Sequence, residues 1–174
     1  MKNIKIISME KNMNKNNTIG TKVGNFSFLV FSFLLLMVTS LEADFIRDDI
    51  KEVVVDTSTN LMWQDNNDTN TTTKEWNDAI DYCEALDFAG YSDWHLPNFN
   101  ELYGLVDKSK YNPATSSVFQ NTASRKDDYY WSSTLLEDHF PASNAWIIGF
   151  LDGTDDSNGK TADNFVRCVR VLDD

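Results

Sequence analysis

The amino-acid sequence predicts an α+β domain, two short helices packed on a small antiparallel sheet. Three observations point there. Two short apolar runs flank a polar turn at residues 56–60, two segments carry helix-start signals, and the last third is rich in aromatic and apolar strand-like runs. Strands, then helices, then more strands is the order of a fold whose helices sit to one side of an antiparallel sheet.

The chain of 174 residues changes character at residue 44. Residues 1–43 hold five Lys against two acids, a net of +3, and lead into residues 26–38, an apolar stretch broken only by Ser27 and Ser32. Small residues follow at Thr39, Ser40 and Ala43. Basic, apolar, small is the order of a secretory signal peptide, and thirteen apolar residues fall short of the about 20 that a membrane span needs. The expectation is export with cleavage after Ser40 or Ala43, a start at Met1, Met9 or Met13, and a secreted, periplasmic or cell-surface product with no span left in it. An uncleaved anchor is the alternative.

Residues 44–174 carry ten basic residues against twenty-five acids, a net of −15. That charge repels phosphate backbones and anionic lipid, so nucleic acid and membrane surfaces are excluded as partners. It keeps an exported domain in solution, and it leaves room for a divalent cation or a basic partner. Both cysteines, Cys83 and Cys168, lie in this part. An even number in an oxidising compartment favours one bridge, with two buried free thiols as the alternative. Two cysteines and two scattered histidines have no zinc-ligand spacing.

Residues 44–52 read as a charged lead-in, and the domain proper as 53–174. Val53-Val54-Val55 and Leu61-Met62-Trp63 are strands around a turn at residues 56–60. Residues 65–73 form a polar loop with two Asn-x-Thr sequons, at Asn67 and Asn70. Thr72 with Glu75 is a capping-box signature, and Trp76, Ala79, Ile80, Cys83 and Leu86 then repeat on one apolar helical face, which Gly90 stops. A shorter helix follows Pro97, with Asn98 as cap, Glu101 at its third position, and Phe99, Leu102, Leu105 and Val106 turned inward. Residues 129–134 and 145–150 are strands, residues 151–164 an acidic loop, and residues 165–172 a closing strand.

Taken in order, these segments carry a resemblance. Asp56-Thr57-Ser58-Thr59-Asn60-Leu61-Met62-Trp63, the helix with Trp76 and Cys83, Trp94-His95-Leu96-Pro97 leading to Glu101-Leu102, Tyr130-Trp131-Ser132-Ser133-Thr134, Ala145-Trp146 and Val166-Arg167-Cys168-Val169-Arg170 resemble the C-terminal domain family of the Legionella collagen-like adhesin. The resemblance spans about residues 53–172. It implies a fold similar to C-type-lectin-like and formylglycine-generating-enzyme-like domains, in which a cysteine of the first helix joins one in the last strand, here Cys83 to Cys168. It also implies adhesion, since the founding member binds sulfated polysaccharide as a trimer on a collagen-like stalk. This sequence has no Gly-X-Y repeat, so stalk and trimer are not carried over. Its net −15 disfavours polyanionic glycans without calcium or a local basic patch.

Candidate sites are few. The run around Asp152, Asp155, Asp156 and Asn158 is oxygen-rich and offers calcium ligands, though it does not follow an EF-hand, and a solvated acidic turn is the plainer reading. Pro97-Asn98 and Trp76-Asn77-Asp78 only accidentally echo lectin calcium motifs. His95, beside Trp94 and Leu96, reads as a packed residue, and His139 as a loop residue. No G-x-S-x-G elbow surrounds Ser132, Ser133 or Thr134. Of the five Trp, most belong in the core. The sequence therefore reads as a binding or adhesion module for a glycan or a surface protein, with no cofactor unless calcium. A hydrolase acting on envelope or host polymers and a purely structural partner domain are the alternatives.

Overall fold

In a computed structural model, residues 45–137 and 143–173 are described. The leader expected over residues 1–43, and His139, lie outside the described residues. Among the described residues no helix is long and apolar enough to cross a membrane.

The charged lead-in is a strand. Phe45–Asp48 forms β1 and pairs antiparallel with β2 (Val53–Asp56), Arg47 opposite Val54. Its alternation of half-buried Phe45 and Arg47 with exposed Ile46 and Asp48 fits an edge strand, and the acids that suggested a lead-in are on its solvent side. β3 (Leu61–Gln64) follows after the polar turn, where the buried Asp56 carboxylate accepts from both backbone and hydroxyl of Ser58 and Thr59. The first sheet runs β1-β2-β3-β9, with β9 at Val169–Val171.

Both faces of this sheet are covered, which explains the unbroken Val53-Val54-Val55 run. Val53 and Met62 pack into one cluster with Trp76, Cys83, Trp94 and Trp131. Val54, Trp63 and Val169 pack into a second with Leu102, Leu105, Phe119, Tyr130 and Phe150. Trp63, Trp76, Trp94 and Trp131 are buried and Trp146 is half-buried, as expected of a small domain.

After a short 3-10 helix (Asn67–Asn70), β4 (Thr73–Lys74) precedes α1 (Trp76–Glu84). The helix starts later than its capping-box signature. Thr73 and Lys74 pair instead with Phe165 and Asn164 of β8, and Glu75 takes the cap position without a side-chain bond. Sheet pairing has overridden a local signal. Trp76, Ala79 and Cys83 face the core as the period requires, whereas Leu86 lies past the helix end. α2 (Phe99–Tyr103) starts at Asn98, whose side chain accepts from Glu101 N while the Glu101 carboxylate accepts from Asn98 N, at 3.0 and 2.8 Å.

The second sheet runs β4-β8-β5-β6-β7, from β5 (Tyr129–Leu136), β6 (Asn144–Gly149), β7 (Thr154–Gly159) and β8 (Asn164–Phe165). Its pairs are antiparallel except for one parallel contact, Tyr130 beside Phe165. Two expectations change here. The acidic loop over residues 151–164 contains β7, because the apolar β6 needs a partner for its outer backbone groups, and a polar edge strand supplies it. The closing strand over residues 165–172 splits into β8 and β9, since the chain leaves one sheet at Phe165 and joins the other at Val169.

Cys83 and Cys168 are bonded, with Cα atoms 5.5 Å apart, and both are fully buried. The bridge joins α1 to the segment that changes sheets and closes a loop with a sequence separation of 85. Replacing both cysteines by serine should cost about 2–5 kcal/mol, read as a lower urea midpoint with a steeper slope, because the unbridged unfolded chain exposes more surface. An unchanged midpoint would show that the rest of the core holds that segment unaided.

Candidate functional site

Among the described residues the longest irregular segment is residues 104–128, between α2 and β5. Irregular connections beyond about 12–15 residues are uncommon in small domains and tend to carry function. This one is fixed at many points. Asn112 N and Ala114 N donate to the carbonyls of Leu151 and Phe150, at 2.8 and 2.7 Å. The Thr115 hydroxyl donates to Leu105 O, and Ala123 N donates to the Tyr130 hydroxyl, which itself donates to Thr69 O.

Its main anchor is Asp65, at the end of β3 and fully buried. Its carboxylate accepts from Gln120 N at 2.9 Å and Asn121 N at 3.2 Å, is ion-paired with Arg47 of β1, and lies 3.3 Å from Arg167 Nη2. Asn121 Nδ2 donates to Asp65 O at 2.6 Å. Arg167 is itself buried, reaches Asn121 O and the Thr122 hydroxyl, and lies over the rings of Phe119 and Tyr130.

Held in this way, the segment forms one wall of a polar groove with two compartments. The first, about 420 Å³, is bounded by Asn70, Asn112, Ser124, Arg125, Asp128 and Phe165. The second, about 480 Å³, lies between residues 125–129 and the β6–β7 turn, and includes Asp152, Asp155 and Asp156. Both volumes fall within the range of small-ligand sites. Arg125 and Asp128 belong to both compartments, and Asp128 fixes the loop by accepting from Arg125 N at 2.9 Å. Two rim residues adopt left-handed backbone, Asn112 at φ 52° and Asp127 at φ 73°. Strained conformations in non-glycine residues gather at sites where surrounding contacts over-determine them. The floor of the β6–β7 turn needs a glycine: at Gly153 φ is +76°, and a Cβ would come within 2.4 Å of Val106 Cγ1.

Of the expected calcium residues Asp152, Asp155 and Asp156 line this groove and Asn158 does not, and the four do not converge. Asp155 and Asp156 are neighbours on β7 and so point to opposite faces. Asp152 Oδ1 accepts from both the backbone and hydroxyl of Thr154, Asp156 Oδ1 from Ser157 N, and Asn158 Oδ1 from Gly159 N. Among the described residues no three His, Cys, Asp or Glu are placed to hold a metal ion together. His95 joins β9 through two backbone bonds with Val169, and its Nε2 lies 3.7 Å from the Glu101 carboxylate that caps α2. Ser132 and Thr134 hydroxyls accept from backbone N–H groups, and Ser133 N donates to Pro97 O. The Ser132 and Thr134 hydroxyls serve the backbone, whereas the His95 imidazole is part-exposed beside Glu101.

Residues 52–170 match the family model described as the Lcl C-terminal domain. The chain belongs to that family. Comparison with curated proteins found no match. The Lcl C-terminal domain match takes in both cysteines, Asp65, Arg167 and every groove residue. β1 precedes it, so Arg47, a partner of Asp65, is supplied from outside the matched span.

The sequence alone did not mark Asn70, Asn112, Arg125, Asp128 or Phe165 as a site. The readable signal was indirect: no helical or strand period over residues 104–128, with Asn112-Pro113 and Arg125-Lys126-Asp127-Asp128 as punctuation.

Asp65→Ala would leave Arg167 buried without its counter-charge, a loss of about 3–5 kcal/mol. Hydrogen exchange should show residues 104–128 opening first in that variant. Equal protection of that segment in both proteins would mean that Asp65 does not anchor it. For calcium, the scattered carboxylates should give a melting temperature that is the same in chelator and in millimolar calcium. A site saturated at 100 times its Kd would add about 2.7 kcal/mol, which a melt resolves easily.

Proposed function

We propose that this chain is an exported binding module that takes a polar ligand, a glycan or a loop of a partner surface protein, in the groove beside residues 104–128. The supporting observation is a long irregular segment held open by a buried ion-pair hub, with amide, hydroxyl, guanidinium and carboxylate groups on its rim and the Phe165 ring at its edge. Such a set suits hydroxyl- or amide-rich ligands, which need paired donors and acceptors around a small apolar contact. Membership of the Lcl C-terminal domain family agrees with an adhesin-like role.

Export explains the cysteine pair and the leader composition together, and places the module in the periplasm, on the surface or outside the cell. The net −15 of residues 44–174 favours neutral or basic ligands over polyanions.

Residues 44–174 screened on glycan arrays and on extracts of surface proteins should give binders whose affinity falls at least tenfold when Ser124→Trp fills the first compartment. Ser124 is half-buried at the groove wall, bonded only to the Asn112 side chain at 2.8 Å, so the fold should tolerate the change. Binding that survives Ser124→Trp and Arg125→Ala unchanged would remove the groove from the function.

A further inference from the structure

The groove takes in Asn70 but leaves Asn67, the other asparagine of the two Asn-x-Thr triplets in residues 65–72, outside its lining. Of the twelve asparagines in residues 44–174, only Asn67 and Asn70 begin such a triplet, and each also has an aspartate two residues before it, Asp65 and Asp68. The run Asp65-Asn66-Asn67-Asp68-Thr69-Asn70-Thr71-Thr72 therefore holds two overlapping acceptors of the form acid-x-Asn-x-Thr. Asn-x-Thr is the acceptor sequence for N-linked glycans, and the version with an acid ahead of the asparagine satisfies even oligosaccharyltransferases that demand it.

The fold treats the two asparagines differently. Asn67 is exposed at the start of the 3-10 helix, and only its backbone carbonyl is engaged, by the Thr71 hydroxyl at 2.8 Å. A sugar on its side-chain nitrogen would stand in solvent. Asn70 is half-buried at the groove wall, with its amide oxygen sealed from water and unpaired. A sugar there would pull the amide from its packed position and fill the groove.

The fold also dictates when transfer can happen. A transferase must reach both the acid and the threonine hydroxyl of an extended acceptor. In the folded chain Asp65 and Thr69 are fully buried, and the Thr69 hydroxyl lies 2.7 Å from the carbonyls of both Asn66 and Asn121. The acceptor is open only before residues 104–128 dock on it.

We propose that Asn67 is an N-glycosylation site, modified on the unfolded chain as it crosses the membrane, and that Asn70 is not. In the transfer the Asn67 side-chain nitrogen attacks C1 of a sugar carried on a polyprenyl diphosphate. The C1–O bond breaks, a C1–N bond forms, the amide gives up one proton, and the polyprenyl diphosphate leaves. The proposal rests on the export proposed above, and the test separates the two.

Protein purified from the native host is read by N-terminal sequencing and by mass spectrometry of the tryptic peptide 52–74, which contains both asparagines. The expected result is a chain without residues 1–40 whose peptide carries an oligosaccharide on Asn67. The added mass disappears in Asn67→Gln and persists in Asn70→Gln. Folded unmodified protein should be a poor acceptor in vitro, and the reduced, unfolded chain a good one. A leader-free chain with a bare 52–74 peptide overturns the modification while leaving export standing, and so does sugar confined to Asn70. A chain that keeps its leader overturns both.

Discussion

A carboxylate that water does not reach holds the groove-bearing half of this domain in shape. Asp65 closes β3 and draws in Arg47 from β1, Arg167 from the segment between β8 and β9, and two backbone N–H groups of residues 104–128. Burying a single charge is costly unless it is paired and its lone pairs are filled, and here both conditions are met. The consequence is specificity of conformation. The path of residues 104–128 that brings Gln120 N and Asn121 N to that carboxylate also leaves the groove open. Arg167, over the rings of Phe119 and Tyr130, lends the same path its apolar support at 4.7 and 5.6 Å.

The C-terminal segment works as a triple tie. Arg167 serves the Asp65 hub, Cys168 bonds α1, and Arg170, buried against the Tyr91 ring at 4.0 Å, makes two bonds to Asp93 and a third to Asp173. Those carboxylates stabilise the protonated guanidinium of Arg170, and Arg170 in turn holds the Asp93 carboxyl below its usual range. Alternate residues of a crossing segment point to opposite faces. The odd-even order of Arg167, Cys168 and Arg170 therefore lets a short run reach both apolar clusters while its backbone passes from one sheet to the other.

Groove and scaffold are thus built from different materials. The scaffold is dry: four buried tryptophans, three of which direct the indole N–H to a backbone carbonyl, as Trp76 does to Ser132 O at 2.9 Å and Trp131 to Lys74 O at 2.8 Å. The groove is polar, and its outer side is the aspartate-bearing edge strand β7, whose charges discourage pairing with another chain.

Much of this was written locally. The apolar period of Trp76, Ala79 and Cys83 set the inward face of α1, and Asn98 with Glu101 set the start of α2 through bonds confined to four residues. The even cysteine count and a leader-like N-terminus pointed to the bridge before any distance was known. What the sequence could not settle depended on partners far along the chain. β4 displaced the Thr72 cap because β8, some ninety residues on, offered backbone pairing. β7 formed from a run with weak strand preference because β6 needed a neighbour, and β1 from a charged run because β2 did. The groove belongs wholly to this second class. Its members come from the 3-10 helix, residues 104–128, the β6–β7 turn and β8, and only the tertiary burial of Asp65 and Arg167, a long-range pairing of charges, brings them to one place.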